Sequence, residues 1–318
     1  MLLRLRTNRY HASPHKQAGN IGGQASTMTQ TYTDTTLLRP ALYVVATPIG
    51  NLGDMSQRAV DTLKSVDLIA AEDTRHSARL MQHFSISTRL VSYHEHSSDA
   101  RENAILRALG EGKAVALISD AGTPLISDPG YGLVVRVRAA AYPVLPVPGA
   151  SAITAAISAA GLPSDRFTFE GFPPHKSSGR RQLYEALAGE HRTLVFYESP
   201  HRISESLADM ASAFGGDRQA VICRELTKTW ETIHGDSLAG LCNWLQQDDN
   251  NRRGEFVVLV RGAARVEQLG LSTDAERTLT ILMRDLPLKQ AAKLASEITG
   301  SKKNALYKRG LELAEDAP

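Results

Sequence analysis

Residues 114–130 read AVALISDAGTPLISDPG, and the fold follows from how this stretch is built. Val115, Ala116, Leu117 and Ile118 form an apolar run too short for a core helix and without polar alternation, as in a strand buried on both faces. From Ser119 to Gly130 the chain then has two glycines, two prolines, two aspartates and few long side chains, which makes a loop rather than an element. The same unit recurs on either side: LYVVATP (42–48), DLIAAED (67–73), RLVSYH (89–94) and VLPVPG (144–149). Amphipathic stretches separate these strands, with helices from Ser56 as N-cap, to Phe84, from Ser98 and after Pro129. Such alternation implies a parallel sheet covered by helices, with ligands at the carboxyl ends of its strands.

A helix over 151–160 leads to a second series: FTFEGF (167–172), a helix around 181–187, TLVFYES (193–199), a helix after Pro200, QAVICREL (219–226), a strand near 229–234, a helix from Ser237 and GEFVVLVRG (254–262). Two of these strands follow each other with no room for a helix, so this sheet is expected to be mixed. Beyond Val266 strand patterns stop, and helices are expected at 274–285, 288–298 and 302–314. The expected organisation is therefore a leader (1–38), an α/β domain with a parallel sheet (39–148), a second α/β domain with a mixed sheet (149–264) and a small helical, basic appendix (270–318).

With 318 residues, 42% hydrophobic and 22% charged, the chain has an ordinary globular composition. No run reaches the 18 apolar residues of a membrane-spanning helix, so a soluble protein without membrane partner is expected, in a reducing cytoplasm. Cys223 and Cys242 form no CxxC and join no His cluster, so neither a disulfide framework nor a metal site is expected. The formal charge of +2 is unevenly spread: residues 1–27 carry Arg4, Arg6, Arg9 and Lys16 with no acid, residues 287–310 carry six basic residues against Glu297, and the remainder is acidic by seven charges. The leader is polar, without apolar periodicity, and is expected to be a disordered, dispensable extension with Met28 as a start.

Neither GxxxxGK[ST] nor GxGxxG is present, which removes support for kinase, GTPase and ordinary dinucleotide-binding readings. At the first strand end stands TPIGNLGD (47–54), and at the fifth PGASA (148–152), where backbone can approach a ligand. In the loop 119–130, Asp120, Gly122 and Thr123 suit a ligand cradle at a parallel-sheet switch point, and Asp128 is expected to cap the next helix.

These blocks, together with AAEDTR (70–75), EGFPPHK (170–176), FYESPHR (196–202), CRELTKTWE (223–231) and RGEFV (253–257), resemble the family of small-subunit ribosomal RNA 2′-O-methyltransferase I, within the tetrapyrrole-methylase fold group. The resemblance runs in order over residues 40–262, and the basic tail resembles that family's helix-turn-helix-like C-terminal domain. It implies a two-domain S-adenosylmethionine enzyme, usually a homodimer, that methylates the 2′-hydroxyl of a cytidine in 16S rRNA, in the decoding region of the 30S subunit. Carried over, cofactor contacts fall on Pro48, Ile49, Asp120, Thr123, Ser151 and Ala152, and more loosely on Phe196 or Tyr197, Leu226 and Gly254.

A ribose hydroxyl is a poor nucleophile at neutral pH, so a group that takes its proton or polarises it is expected. Strand-end candidates are Glu72, Asp73, His94, Glu170, Glu198 and the group 224–228. Glu72 and Asp73 are adjacent and point to opposite faces, so one at most faces a cleft. Among these, Lys228, Glu198 and Glu72 are singled out, Lys228 as a cation beside a developing alkoxide. RNA contact is expected at the basic loop holding Lys176, Arg180 and Arg181, and in the tail at Lys302, Lys303, Lys308 and Arg309. Two other functions use part of the same features: a methyltransferase of this fold acting on a tetrapyrrole or a protein side chain, and a non-catalytic RNA-binding assembly factor.

Overall fold

The computed structural model describes residues 39–94, 99–264 and 271–315. The expectations for the leader, and for Ser98 as a helix cap, lie outside the described residues. The first sheet comprises β1 (Leu42–Val45), β2 (Leu68–Ala71), β3 (Leu90–Ser92), β4 (Val115–Ile118) and β5 (Val144–Val147), separated by α1 (Gln57–Ser65), α2 (Thr74–His83), α3 (Asp99–Gly110) and α4 (Tyr131–Ala139). Its order is β3-β2-β4-β1-β5 and every pairing is parallel. Side chains alternate along each strand: Tyr43, Val45, Ala116 and Ile118 pack with α1 and α2, whereas Leu42, Val115 and Leu117 pack with α3 and α4. This two-sided burial explains the continuous apolar runs, and each fully buried Leu or Ile contributes about 1.5–3 kcal/mol.

Helix α5 (Ala152–Ala159) joins this sheet to a second one. That sheet is built from β6 (Phe167–Gly171), β7 (Thr193–Glu198), β8 (Gln219–Arg224), β9 (Thr232–Ser237) and β10 (Phe256–Val260), with α6 (Ser177–Leu187), α7 (Ile203–Phe214) and α8 (Leu238–Gln247). Its order is β6-β7-β10-β8-β9; β6 and β7 are parallel and the other pairs antiparallel, so the sheet is mixed as expected. One face packs on α6, α7 and α8. The other meets α5 and also Ile49 from the first sheet's loop, so one apolar cluster ties the two sheets. Two elements differ from expectation. Strand β9 starts three residues late, because Glu225 and Thr227 take positive φ (51° and 66°) and turn residues 225–231 into a loop. Helix α6 starts early, so the basic segment 177–181 is a helix start rather than a free loop.

The final elements are α9 (Thr273–Leu282), α10 (Leu288–Thr299) and α11 (Lys303–Glu315). Ala275, Leu279, Ala291, Ala292, Ala295 and Leu306 form their core. Between α10 and α11 the chain reverses at Gly300, whose φ of 70° is a left-handed C-cap. Among the described residues no helix is long and apolar enough to cross a membrane.

Candidate active site

Strand order reverses direction at β4 and β1, because the chain leaves β1 toward β2 and leaves β4 toward β5. The loops after these two strands are stitched together: the Thr47 N–H donates to the Gly122 carbonyl at 2.8 Å, and the Gly122 N–H donates back to the Thr47 carbonyl at 3.1 Å. Thr123 Oγ1 donates to the Ala150 carbonyl at 3.1 Å, drawing in the loop after β5. Gly122 has φ +78°, and a Cβ there would stand 3.2 Å from Ile49 Cγ2, so glycine keeps this crevice open.

A cavity of about 390 Å³ opens at this switch point, between these loops and the strand ends of the second sheet. Five carboxylate residues line it, Glu72, Asp120, Asp128, Glu198 and Glu255, and among the described residues no Lys, Arg or His does. Such a lining favours a cationic ligand and disfavours an anionic one.

Three of the acids come from the first sheet and none has an ion-pair partner among the described residues. The Asp120 N–H donates to Glu72 Oε2 at 3.3 Å, and the Asp73 N–H donates to Asp120 Oδ1 at 3.1 Å. Glu72 thus faces the cavity while Asp73 caps α2 through the Arg75 N–H, in keeping with their opposite directions. Burial raises the Glu72 pKa; the Asp120 N–H opposes the shift and the Asp120 and Asp73 charges add to it. Asp128 corrects the expectation of a cap: the N-cap of α4 is Gly130, with no side-chain cap bond, and Asp128 lines the cavity instead. Burial pushes its carboxyl up to about 6, the Ser119 hydroxyl works against this, and the Glu72 and Asp120 charges reinforce it. Leu125 and Ser127, at φ 73° and 63°, fold the loop back so that Asp128 returns to the β4 end.

The second sheet's acids are engaged. Glu198 Oε1 binds Arg202 Nη2 at 2.9 Å and accepts the Ser199 N–H at 2.8 Å, its side chain is fully buried, and Oε2 is left without a partner. Along β7 it shares the sheet face of Leu194 and Phe196, which is the α6–α7–α8 side. Glu198 thus fixes the β7–α7 turn, where Arg202 also donates to the Pro173 carbonyl at 3.2 Å, while it also lines the cavity. Lys228 does not line the cavity: its Nζ binds Glu225 Oε1 at 2.9 Å and Glu255 Oε2 at 2.8 Å, and its stem lies over Gly50, where a Cβ would clash with the Lys228 stem. Burial works against its charge, but the bonds from Glu255 and Glu225 outweigh this and raise its pKa, so it is a cationic clasp between the loops. Cys223 lines the cavity floor, and its thiol is pushed up to about 12 by burial, with the Glu231 charge adding to the effect.

Of the residues expected to touch a cofactor, Ile49, Asp120, Gly122, Thr123, Ser151, Ala152, Tyr197 and Leu226 line this one cavity; Pro48 and Gly254 do not, although each precedes a lining residue. Among the lining residues missed by sequence reasoning are Asp128, Glu255 and the half-exposed Phe172, whose ring stands 5.4 Å from that of Tyr197. None of the expected RNA contacts lies here. Lys176 and Arg181 are exposed, as are Lys302, Lys303 and Lys308. Arg180 is a correction: it is 1% exposed, with Nε on Asp209 Oδ2 at 2.9 Å, Nη2 on Glu205 Oε2 at 3.0 Å and Nη1 on the His175 carbonyl at 2.8 Å. Arg309 is tied to Glu276, and to Glu312 at 3.0 Å, within the helical unit.

A parallel and a mixed sheet meeting at a switch-point cavity define a methyltransferase of the tetrapyrrole-methylase class: residues 41–242 match the family described as Tetrapyrrole (Corrin/Porphyrin) Methylases. The fold is shared with uroporphyrin-III-C-methyltransferase from Thermus thermophilus (TM-score 0.51, 18% identity, 70% of this chain and 94% of that one) and with a diphthine synthase (TM-score 0.53, 16% identity, 70% and 89%). Residues 270–314 match the RsmI C-terminal HTH domain. The ribosomal RNA small subunit methyltransferase I of Vibrio cholerae serotype O1 is 54% identical over 86% of this chain and 95% of its own length, and that of Pseudomonas aeruginosa 56% identical over 85% and 96%. This chain belongs to the ribosomal RNA small subunit methyltransferase I family.

Proposed function

We propose that the chain transfers a methyl group from S-adenosylmethionine to the 2′-hydroxyl of a cytidine in 16S rRNA, within the 30S subunit, as a cytoplasmic homodimer. The observation that carries this reading is the switch-point cavity, with backbone from three loops on one side and five lining carboxylates, of which Glu72, Asp120 and Asp128 have no ion pair among the described residues. The residues fit the cofactor: Gly122 leaves room where a side chain would close the crevice, and the carboxylates suit a sulfonium and an ammonium group. Ile49, Gly122, Thr123, Ser151, Ala152 and Leu226 would hold it, and when bound it supplies an electrophilic methyl group.

The chain's own residues do the rest. Asp128, with a pKa near 6, suits the acceptance of a proton from a hydroxyl near neutral pH, a step typically worth about 10²- to 10⁴-fold. Glu72 and Asp120 hold their oxygens in place through the two backbone bonds between their loops. Phe172 and Tyr197 offer an aromatic rim on which a splayed-out base can stack. A helical unit with six basic residues against one acid over 287–310 favours an RNA substrate over a tetrapyrrole. The test is incubation with labelled S-adenosylmethionine and either naked 16S rRNA or 30S particles, followed by mapping of the methyl group. Label on one cytidine 2′-oxygen is expected; label on a base, or none on RNA, refutes the reading.

A further inference from the structure

The first sheet has a second concave surface, at the far end of β2 from the cavity. There β3 is the free edge of the sheet, and a groove of about 630 Å³ opens between that edge and α3. The groove exists because α3 presents Ala104 and Ala108 to it, side chains too short to fill the space. Four cations surround this floor: Arg89 before β3, Arg101 and Arg107 on α3, and Lys113 before β4. Two acids share the groove and both have internal partners, since Glu111 Oε2 binds Lys113 at 2.6 Å and Asp67 Oδ2 accepts the Ala114 N–H at 2.8 Å. Arg101 Nη1 lies 3.1 Å from His94 Nε2. Arg89 and Arg107 are exposed and have no ion pair among the described residues.

We infer that this groove holds the phosphodiester backbone of the RNA next to the nucleotide presented to the cavity, an inference that rests on the RNA-methylation reading. The first reason is the sign of the charge. A cavity ringed by carboxylates repels phosphate, so a nucleotide that enters it needs its flanking phosphates neutralised elsewhere. The second is distribution: outside residues 1–27 and 287–310 the chain is acidic by seven charges, so a groove with four cations against two acids stands out from the average. The third is position. Asp67 at the groove and Glu72 at the cavity flank the same strand, five residues apart, and extended backbone sets them about 16 Å from each other. Arginine supplies the planar, multi-donor head that suits phosphate oxygens.

The test is the full chain carrying Arg89→Glu and Arg107→Glu, with Arg138→Glu, an exposed cation on α4, as the control for bulk charge. The probe is a 16S rRNA transcript, with methyl transfer and RNA binding followed across salt concentrations. The double variant is expected to raise KM for RNA at least tenfold and to make the slope of log K against log salt shallower by about one to two. Its kcat at saturating RNA, its affinity for S-adenosylmethionine and its melting temperature stay unchanged. The milder pair Arg89→Gln and Arg107→Gln gives a smaller change in the same direction. An unchanged KM and salt slope overturns the proposal, and so does an equal loss in Arg138→Glu. Absence of transfer to any RNA by the unaltered chain overturns the substrate reading and the groove with it, a result distinguishable because the unaltered chain is then inactive.

Discussion

The two walls of the cavity carry three and two carboxylates and treat them in opposite ways. On the first sheet's wall Glu72, Asp120 and Asp128 have no ion pair among the described residues, and burial raises the pKa of Glu72 and Asp128. On the second sheet's wall Glu198 is paired with Arg202 and Glu255 with Lys228, which also binds Glu225 outside the cavity. Unpaired, partly buried carboxylates keep a field available to a ligand; paired ones spend it internally on holding turns. On the proposed function, the first wall is the one that acts on the ligand and the second is the frame that holds it.

That contrast breaks most readily at Arg180, beyond the second wall. Arg180→Met should destabilise the fold by about 3–5 kcal/mol in urea unfolding, because Asp209 and the His175 carbonyl lose their buried donor. A surface arginine would cost under about 1 kcal/mol, and that outcome would return Arg180 to the RNA-facing set. Next in size, Asp120→Asn or Asp128→Asn should cut methyl transfer at least tenfold, about 1.4 kcal/mol of barrier, without loss of stability. Activity retained in both would move the reactive wall elsewhere. Truncation after Ala264 removes the helical unit and should weaken RNA binding severalfold with a shallower salt dependence, leaving cofactor affinity intact.

A smaller effect concerns pH. Folded Asp128 keeps its proton up to about pH 6, whereas its ordinary value is 3.8. The folded state therefore binds more protons between these values, and this contribution to stability is full below 3.8 and lost as pH rises through 6. Asp128→Asn should consequently be more stable than the unaltered chain at pH 8, by at most about 1 kcal/mol after discounting for solvent contact, and no more stable at pH 4. Thermal melts at the two pH values check the sign. Smallest of all, Lys228→Ala should change kcat less than about threefold, because its ammonium group is already committed to two carboxylates.

Much of this was legible in the chain. Strands covered on both faces write themselves as apolar runs, and Ser56 and Ser237 cap α1 and α8 as their positions imply. The ligand loops were legible from glycine, proline and aspartate at strand ends. Asp128 was not, because its approach to the cavity depends on two non-glycine residues in the left-handed region, which no local composition signals. Arg180 was misread for a related reason: its partners Glu205 and Asp209 lie 25 and 29 residues on, so the sequence shows only a basic cluster. Glu255 was missed because it reaches the cavity only when β10 pairs antiparallel with β7 and β8.

Cys223 carries a consequence of its own. A thiolate is a far stronger nucleophile than a ribose hydroxyl, and one lining this cavity would compete with the substrate for an alkylating centre. With the thiol pushed up to about 12, only about one molecule in 10⁵ carries it as thiolate at neutral pH. Burial raises both the Asp128 carboxyl and the Cys223 thiol, so the environment that suits Asp128 to the proposed proton transfer also guards Cys223 against alkylation.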